Sequence, residues 1–473
     1  MTKLIGRTSA ELTHTPNTNV LSIRNLFWDA LGRDRSVAWI NVTTLWSLAR
    51  GPVAAFMIIT CLSDGEQGLW YAFSNLGAFS VFAELGFSVI ISQFVSHEFA
   101  KLELRSGRLG GDDFHLDRLV SLVRCAIKMY GIVILVAIFV LSMVGFFYFK
   151  GHPETVFAAW VFFSMASGFS LFANLVQGIY RGMNQVESAQ RTILVSSVVA
   201  TLTIWIGLLL DIGIWALPIG SLSGGLVLLS LLSRMAPELW LQLYHHEVSH
   251  QFSWAREVGW LQGRYAVTFA CGYFTFNLMV PAVFKFEGAV PAGQLGLTLA
   301  LTVAVQSFAL ASLNAWVPKV NMLIAANREQ ECWELIKKLT VVGSALFLVG
   351  AGFLLITPLI LQRLGYGGRL LDVPVLSLVI LYHLATTFAS AASTFLRAHK
   401  REPHMPIAIV QAAIIGTSMF TILPRFGLFW LLIAVNISFW IIAVPAIIWM
   451  AFNCKSKLQS VAVGNEAFGK AAD

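Results

Sequence analysis

Apolar runs, each long enough to cross a bilayer, follow one another from about Val37 to Phe452, with only short polar breaks between them. A helix needs roughly 20 apolar residues to span about 30 Å of hydrocarbon. On that rule the chain predicts twelve transmembrane helices, over 38–60, 69–95, 127–149, 156–178, 189–209, 212–232, 258–283, 292–316, 338–361, 373–396, 405–423 and 428–451. The run from 189 to 232 is broken only at Leu210-Asp211-Ile212-Gly213. A Gly and an Asp at its centre predict a tight turn between two spans. Pro52, Pro218, Pro281, Pro358 and Pro445 lie in or near spans, where a missing N–H favours a bend.

The two halves of this pattern echo each other. Trp46-Ser-Leu-Ala-Arg50 in the first span matches Trp260-Leu-Gln-Gly-Arg264 in the seventh. Gln67-Gly-Leu-Trp70 is matched loosely by Gln294-Leu-Gly-Leu297, and Gln177-Gly-Ile-Tyr-Arg181-Gly182 by Ser393-Thr-Phe-Leu-Arg397-Ala398. Six spans per half is an even number, so both halves enter the membrane the same way round. Parallel repeats of this kind typify transporters whose two lobes rock around a central site. The expected organisation is all-α and polytopic: an N-terminal tail (1–37), an N-lobe of six helices (38–232), a linker (233–257), a C-lobe of six helices (258–452) and a C-terminal tail (453–473).

Charge orients the pattern. Of 32 Lys and Arg, 24 lie at or beside the two tails and the loops that share their side, five lie on the other side, and Arg50, Lys128 and Arg264 fall inside spans. Basic residues translocate poorly, so both termini are expected in the cytoplasm. The net charge of +7 is mostly this bias and implies no nucleic-acid partner. A composition of 57% hydrophobic and 12% charged residues, with mean hydropathy +0.73, leaves little room for a soluble domain. The N-terminal tail lacks the pattern of a cleaved secretory signal, so the first span is expected to act as an uncleaved insertion signal. Cys61, Cys125, Cys271, Cys332 and Cys454 share no metal-ligand or CxxC spacing, and no cofactor motif is present. Trp39, Trp70, Trp160, Trp215, Trp430 and Trp449 near span ends read as interfacial anchors.

Several short motifs resemble bacterial polysaccharide flippases. They are Ser63-Asp-Gly-Glu-Gln-Gly-Leu-Trp70, then Phe82-Ala-Glu84-Leu-Gly86-Phe-Ser88, Gly178-Ile-Tyr-Arg181-Gly182, and Ala292-Gly-Gln-Leu-Gly-Leu-Thr298. The resemblance implies the superfamily that also holds lipid II flippases and multidrug and toxin extrusion exporters. It implies two six-helix lobes around a central cavity, and a cargo of sugar chain on a polyprenyl pyrophosphate. It further implies residence in the bacterial inner membrane and a place in cell-surface polysaccharide biosynthesis, such as O-antigen or exopolysaccharide. Membrane lipids, a glycan polymerase or other polysaccharide-assembly proteins are the implied partners. One departure is that the first span carries no acidic residue of the kind some exporters use for cation coupling; Arg50 is its only charge.

A charge at mid-bilayer costs at least about 2.5–3.5 kcal/mol on insertion scales, so it normally faces protein or water. Arg50 is near mid-depth, and Glu84 in the second span lies within about a turn of the same level. Two readings compete. Either Arg50 lines a cytoplasm-facing cavity and holds pyrophosphate in bidentate fashion, or it forms a structural ion pair with Glu84. Arg264 and Lys128 are shallower and within snorkelling range of the cytoplasmic face. Asn174, Gln177, Asn277 and Gln306 are further candidate cavity residues, with Asn314, Gln411 and Asn436 also in spans; each could equally be interhelical glue. His245-His246-Glu247 with His250 lacks a ligand constellation and reads as linker. Asp117-Arg-Leu-Val-Ser-Leu-Val-Arg124 has the pattern of an amphipathic helix lying on the inner leaflet.

The leading expectation is therefore a flippase of lipid-linked oligosaccharide working by alternating access. No Walker A motif is present, so any drive comes from a gradient, the membrane potential or a partner. A multidrug-type exporter on the same fold is the first alternative, though it would call for an acidic cavity. A glycan polymerase or ligase is the second, but the short outer loops carry no paired carboxylates or His-Arg cluster.

Overall fold

The computed structural model describes residues 35–84, 86–105, 107–326, 328–398 and 405–453, and leaves aside a few side chains within helices, those of Arg264 and Arg397 among them. The expectations for the two tails and Cys454 lie outside the described residues.

The N-lobe begins with α1 (Arg35–Cys61). Three short helices return: α2 (Asp64–Gly77), α3 (Phe79–Glu84) and α4 (Phe87–Phe99). A hairpin of β1 (Leu102–Arg105) and β2 (Arg108–Gly111) follows, antiparallel with Leu102 opposite Gly111. The long helices α5 (Asp113–Tyr148), α6 (Glu154–Gly182), α7 (Val186–Leu209) and α8 (Ala216–Met235) complete the lobe. The linker carries α9 (Pro237–His245) and α10 (Trp254–Glu257). The C-lobe has α11 (Gly259–Phe276), α12 (Met279–Glu287), α13 (Ala289–Ala325), α14 (Glu329–Arg363), α15 (Val373–Ala398), α16 (Met405–Thr421) and α17 (Leu423–Ile437). A π-helical segment, Ser438–Ala443, runs on from α17. Among the described residues nine helices are long and apolar enough to cross a membrane, ten if the bent pair α11–α12 counts as one. The two other expected spans are the broken α2–α4 and the shorter apolar α16.

The structure departs from the sequence expectation in several places. The span expected at 69–95 is three helices, and its break before α4 falls where Gly86 adopts φ +73°, a left-handed conformation that side chains avoid. Glu84 Oε1 accepts the Ser88 N–H at 3.3 Å, satisfying one of the orphan donors that open α4. The stretch Asp117–Arg124, expected on the inner leaflet, is instead the first part of α5, with Leu119, Val120, Leu122 and Val123 fully buried in protein. The span expected at 258–283 bends by 43° between α11 and α12. The turn expected at Leu210–Gly213 is present, with both Asp211 and Gly213 at positive φ. Trp70 and Trp160 are not interfacial: Trp160 is fully buried beside Phe73, and its indole donates to Leu141 O at 2.7 Å.

The end of the bundle bearing the β-hairpin and linker is called the basic end here, and the opposite one the far end. The linker is tied to the basic end of α5 throughout its length. Arg124 donates to the carbonyls of Leu243, Tyr244 and His246, which are the orphan acceptors at the end of α9. Asp117 accepts from the Ser249 and His250 N–H groups and contacts His246 Nε2 at 2.7 Å. Gln242 caps both the N–H and the carbonyl of Leu109 in the hairpin, and Trp254 stacks on Phe87 at 4.7 Å.

At the far end the lobes meet backbone to backbone. A Cβ on Gly68 of α2 would lie 2.0 Å from Ala289 O, one on Gly293 would lie 2.8 Å from Gly68 N, and one on Gly296 would meet the ring of Tyr71. Gln67, almost fully buried, donates to Gly293 O at 2.9 Å and to Arg369 O at 3.1 Å. Arg369, in the loop between α14 and α15, donates to Leu62 O at 2.6 Å and pairs with Asp64 at 3.0 Å. The buried core follows the same division. One cluster runs from the far half of the N-lobe into the C-lobe; a second, around Phe87, Tyr130 and Trp254, fills the basic half of the N-lobe and the linker. In α1 the buried apolar residues start at Ala55, whereas no described residue from 38 to 54 is buried.

Candidate functional site

Arg50 stands on this unburied stretch of α1, about 22 Å along the helix from its start and about 16 Å short of its end at 1.5 Å per residue. Its guanidinium turns to α7, which runs beside α1. Nη1 donates to Ser197 Oγ at 3.2 Å and Thr201 Oγ1 at 3.4 Å. Among the described residues no carboxylate lies within ion-pair distance of it, so the pair with Glu84 is not formed. Two neutral hydroxyls, one helical turn apart on α7, orient the guanidinium without neutralising it.

The surroundings add donors rather than acceptors. Trp46 lies one turn before Arg50 on α1, and Trp205 one turn after Thr201 on α7; their rings are 6.4 Å apart. Both indole N–H groups are shielded from water and have no hydrogen-bond partner among the described residues. An unmet buried donor costs on the order of 1–3 kcal/mol, so such groups favour an incoming acceptor. Nearer the basic end Arg191 of α7 lies over the Trp39 ring at 5.1 Å. The α1–α7 face thus gathers cationic and N–H donors around Arg50, with no carboxylate within ion-pair distance of it among the described residues, and is chemically matched to an anion such as phosphate.

The other candidates separate by position. Glu84 caps α4 and lies within electrostatic reach of Tyr130 in the N-lobe core. Asn174 and Gln177, three residues apart on α6, are half-buried and hydrogen-bond to no described group. Arg264 is placed on α11, with its side chain outside the described ones. Asn277 occupies the C-cap of α11 at the bend, where its N–H donates to Tyr273 O. Gln306 ties α13 to α15, donating to His383 O at 3.0 Å, Thr386 Oγ1 at 2.6 Å and Thr387 Oγ1 at 3.1 Å. Asn436 similarly donates to Leu378 O and Leu432 O. Asn314 and Gln411 line a cavity inside the C-lobe. Lys128 is exposed, and His246 and His250 serve Asp117; among the described residues no His, Cys, Asp and Glu cluster could hold a metal.

Sequence reasoning did not single out Ser197, Thr201, Trp205 or Arg191. The available signal was the i, i+4 spacing of Ser197 and Thr201 on one helix face, opposite a lone span arginine.

No protein-family model matches the chain, and no curated protein matches it. Solved structures do. A lipid II flippase, MurJ, in an inward closed conformation is 14% identical over 87% of this chain and 86% of its own, with a TM-score of 0.61. An outward-facing multidrug resistance MATE family transporter of the MOP superfamily is 12% identical over 91% of this chain and 98% of its own, at 0.58. A MOP superfamily transporter from Pyrococcus furiosus, described by the reverse polarity of its binding pocket, is 12% identical over 91% and 98%, at 0.52. With the two lobes, the far-end seal and the α1–α7 face in place, these likenesses give the chain the fold of the MOP-superfamily transporters.

Proposed function

We propose that this protein is a membrane transporter that flips a polyprenyl-pyrophosphate-linked oligosaccharide between leaflets by alternating access. The observation that carries this reading is Arg50: a cation deep in α1, held by two hydroxyls and neutralised by no carboxylate among the described residues. A guanidinium this deep in a membrane-spanning helix, without a counter-ion, is unfavourable in the empty state. An anionic headgroup supplies the missing charge, and a pyrophosphate offers the bidentate geometry that guanidinium fits. Arg50 lies on the basic-end side of the Gln67–Arg369 seal, so a headgroup reaches it from the leaflet expected to be cytoplasmic. Opening that seal while the basic end closes would release the headgroup on the other side, with the prenyl tail remaining in lipid.

The test is flipping of a fluorescent lipid-linked sugar in proteoliposomes. Arg50→Ala should reduce the rate at least about tenfold, and Arg50→Lys should recover only part of it, because an ammonium keeps charge but not the fork. Equal rates for wild type and Arg50→Ala, with both folded, would sink the proposal. The fold likeness to multidrug transporters favours a second reading, export of an amphiphile. It predicts that cationic dyes are transported and that Arg50→Ala leaves their transport intact or improves it.

A further inference from the structure

The C-lobe carries a half-open cavity of about 400 Å³ between α11, α13, α15, α16 and the π-helical segment. Its walls carry many polar side chains and, among the described residues, no charged one. Thr386, Ser390 and Thr394 recur at one-turn intervals along α15. The hydroxyl protons of Thr275, Ser390 and Thr394 are already committed to backbone carbonyls one turn back, at 2.8, 2.8 and 2.9 Å. Those hydroxyls therefore present lone pairs to the cavity and act as acceptors. Asn314 and Ser393 hydrogen-bond to no described group, and supply both donors and acceptors.

The helix turn that faces this cavity is also irregular. Between Ser438 and Ala443 the backbone widens into a π-turn, which places Phe439 and Ala443 on the cavity wall. Gln411 Nε2 bridges to Ser438 O and Ser438 Oγ, both at 3.1 Å, which leaves its carbonyl oxygen as a further acceptor. π-turns inside α-helices concentrate at functional sites, where they re-aim side chains.

This lining selects among ligands. An apolar ligand would leave the Asn314 and Ser393 side chains unmatched, at a cost for each. A cation or anion would find no counter-charge among the described residues of the lining. A neutral polyol brings many O–H donors to the acceptor-rich walls and apolar C–H faces to Phe439 and Phe276. The volume accommodates one or two sugar rings. We infer that the C-lobe cavity is a binding subsite for uncharged sugar residues, physically separate from the cationic α1–α7 face. The inference rests on the lipid-linked oligosaccharide reading and deepens it: Arg50 takes the pyrophosphate, and the Asn314–Ser393–Gln411 pocket takes the glycan.

The experiment compares binding of two probes to the detergent-purified full-length protein by native mass spectrometry. One is undecaprenyl pyrophosphate bare, the other the same lipid bearing a neutral N-acetylhexosamine disaccharide. Wild type should bind the glycosylated lipid about tenfold more tightly, as expected for one or two well-made hydrogen bonds. Asn314→Leu and Ser393→Ala should erase that preference while leaving the bare-lipid affinity unchanged. Thr394→Val, nearly isosteric, serves if either variant unfolds. A preference that survives in the folded variants overturns the pocket assignment and leaves the flippase reading standing. So does equal wild-type affinity for the two lipids. Wild type that binds neither lipid overturns the flippase reading, and the subsite with it.

Discussion

At the residue scale the physics turns on which polar groups are left over. Arg50 is oriented by Ser197 and Thr201 but not neutralised, whereas Glu84 is spent on the first turn of α4. Side-chain hydrogen bonds between membrane helices average only about 0.6 kcal/mol in double-mutant cycles. Ser197→Ala with Thr201→Val should therefore cost roughly 1 kcal/mol or less of unfolding free energy. The same pair should still weaken binding of bare undecaprenyl pyrophosphate several-fold, because the guanidinium loses its orientation. A large stability loss with unchanged binding would make these hydroxyls glue instead. Trp46→Phe and Trp205→Phe remove the orphan N–H donors while keeping an aromatic ring at each position. Each should be neutral or slightly stabilising in denaturation, yet weaken the anion.

At the scale of elements, breaks and ties are the informative features. The second span breaks where a left-handed Gly86 is followed by a helix whose first turn Glu84 caps. In the C-lobe the same device recurs in α17, where Gly427 sits at φ +83° and Glu287 accepts the Leu428 N–H at 2.8 Å. Gly86→Val should destabilise by about 1–3 kcal/mol from backbone strain alone, more given that Tyr265 and Phe269 crowd the site. Glu84→Gln, which keeps an acceptor, should cost less than Glu84→Leu in thermal unfolding. The linker presents a second case. Asp117 binds its backbone at Ser249 and His250, so Asp117→Ala should open new protease cleavage between 246 and 253. Resistance equal to wild type would show that Arg124 and the Trp254 stack suffice.

At the scale of the molecule the lobes are joined at the far end and by the linker. Small residues let α2 and α13 approach to backbone contact, the usual means of tight packing where lipid removes the hydrophobic drive between helices. Over this contact Arg369 gathers Leu62 O, Gln67 and Asp64 from the other lobe. Arg369→Ala should loosen the seal. Cys61, the last residue of α1 and the neighbour of Leu62, is the natural reporter in a background with the other cysteines replaced by Ser. Its labelling by an impermeant maleimide added on the far-end side should rise several-fold in Arg369→Ala. Unchanged labelling would mean that the Gly68–Gly293 contact holds the end shut by itself.

Much of this architecture was legible from residue pattern, and the limits have physical reasons. Apolar run length set the span positions because lipid leaves backbone groups no partner but their own helix. The turn at Asp211 was legible because Gly and Asp tolerate positive φ, and the lone charge of the first span pointed to Arg50. What surrounds Arg50 was not legible: Ser197, Thr201 and Trp205 lie about 150 residues away in sequence, and only packing of α1 on α7 selects them. The same holds for Trp160, whose place near a span end suggested an interface but whose indole fills the N-lobe core against Phe73. It holds too for Asp117–Arg124, an amphipathic stripe that fits a membrane surface or a protein surface equally well until the linker covers it. Hydrophobic length and charge bias are sums over one segment, so the sequence by itself determined spans and the lone deep cation. The far-end seal, the donor-lined α1–α7 face and the polar C-lobe cavity are meetings of distant segments, and only the tertiary structure decided them.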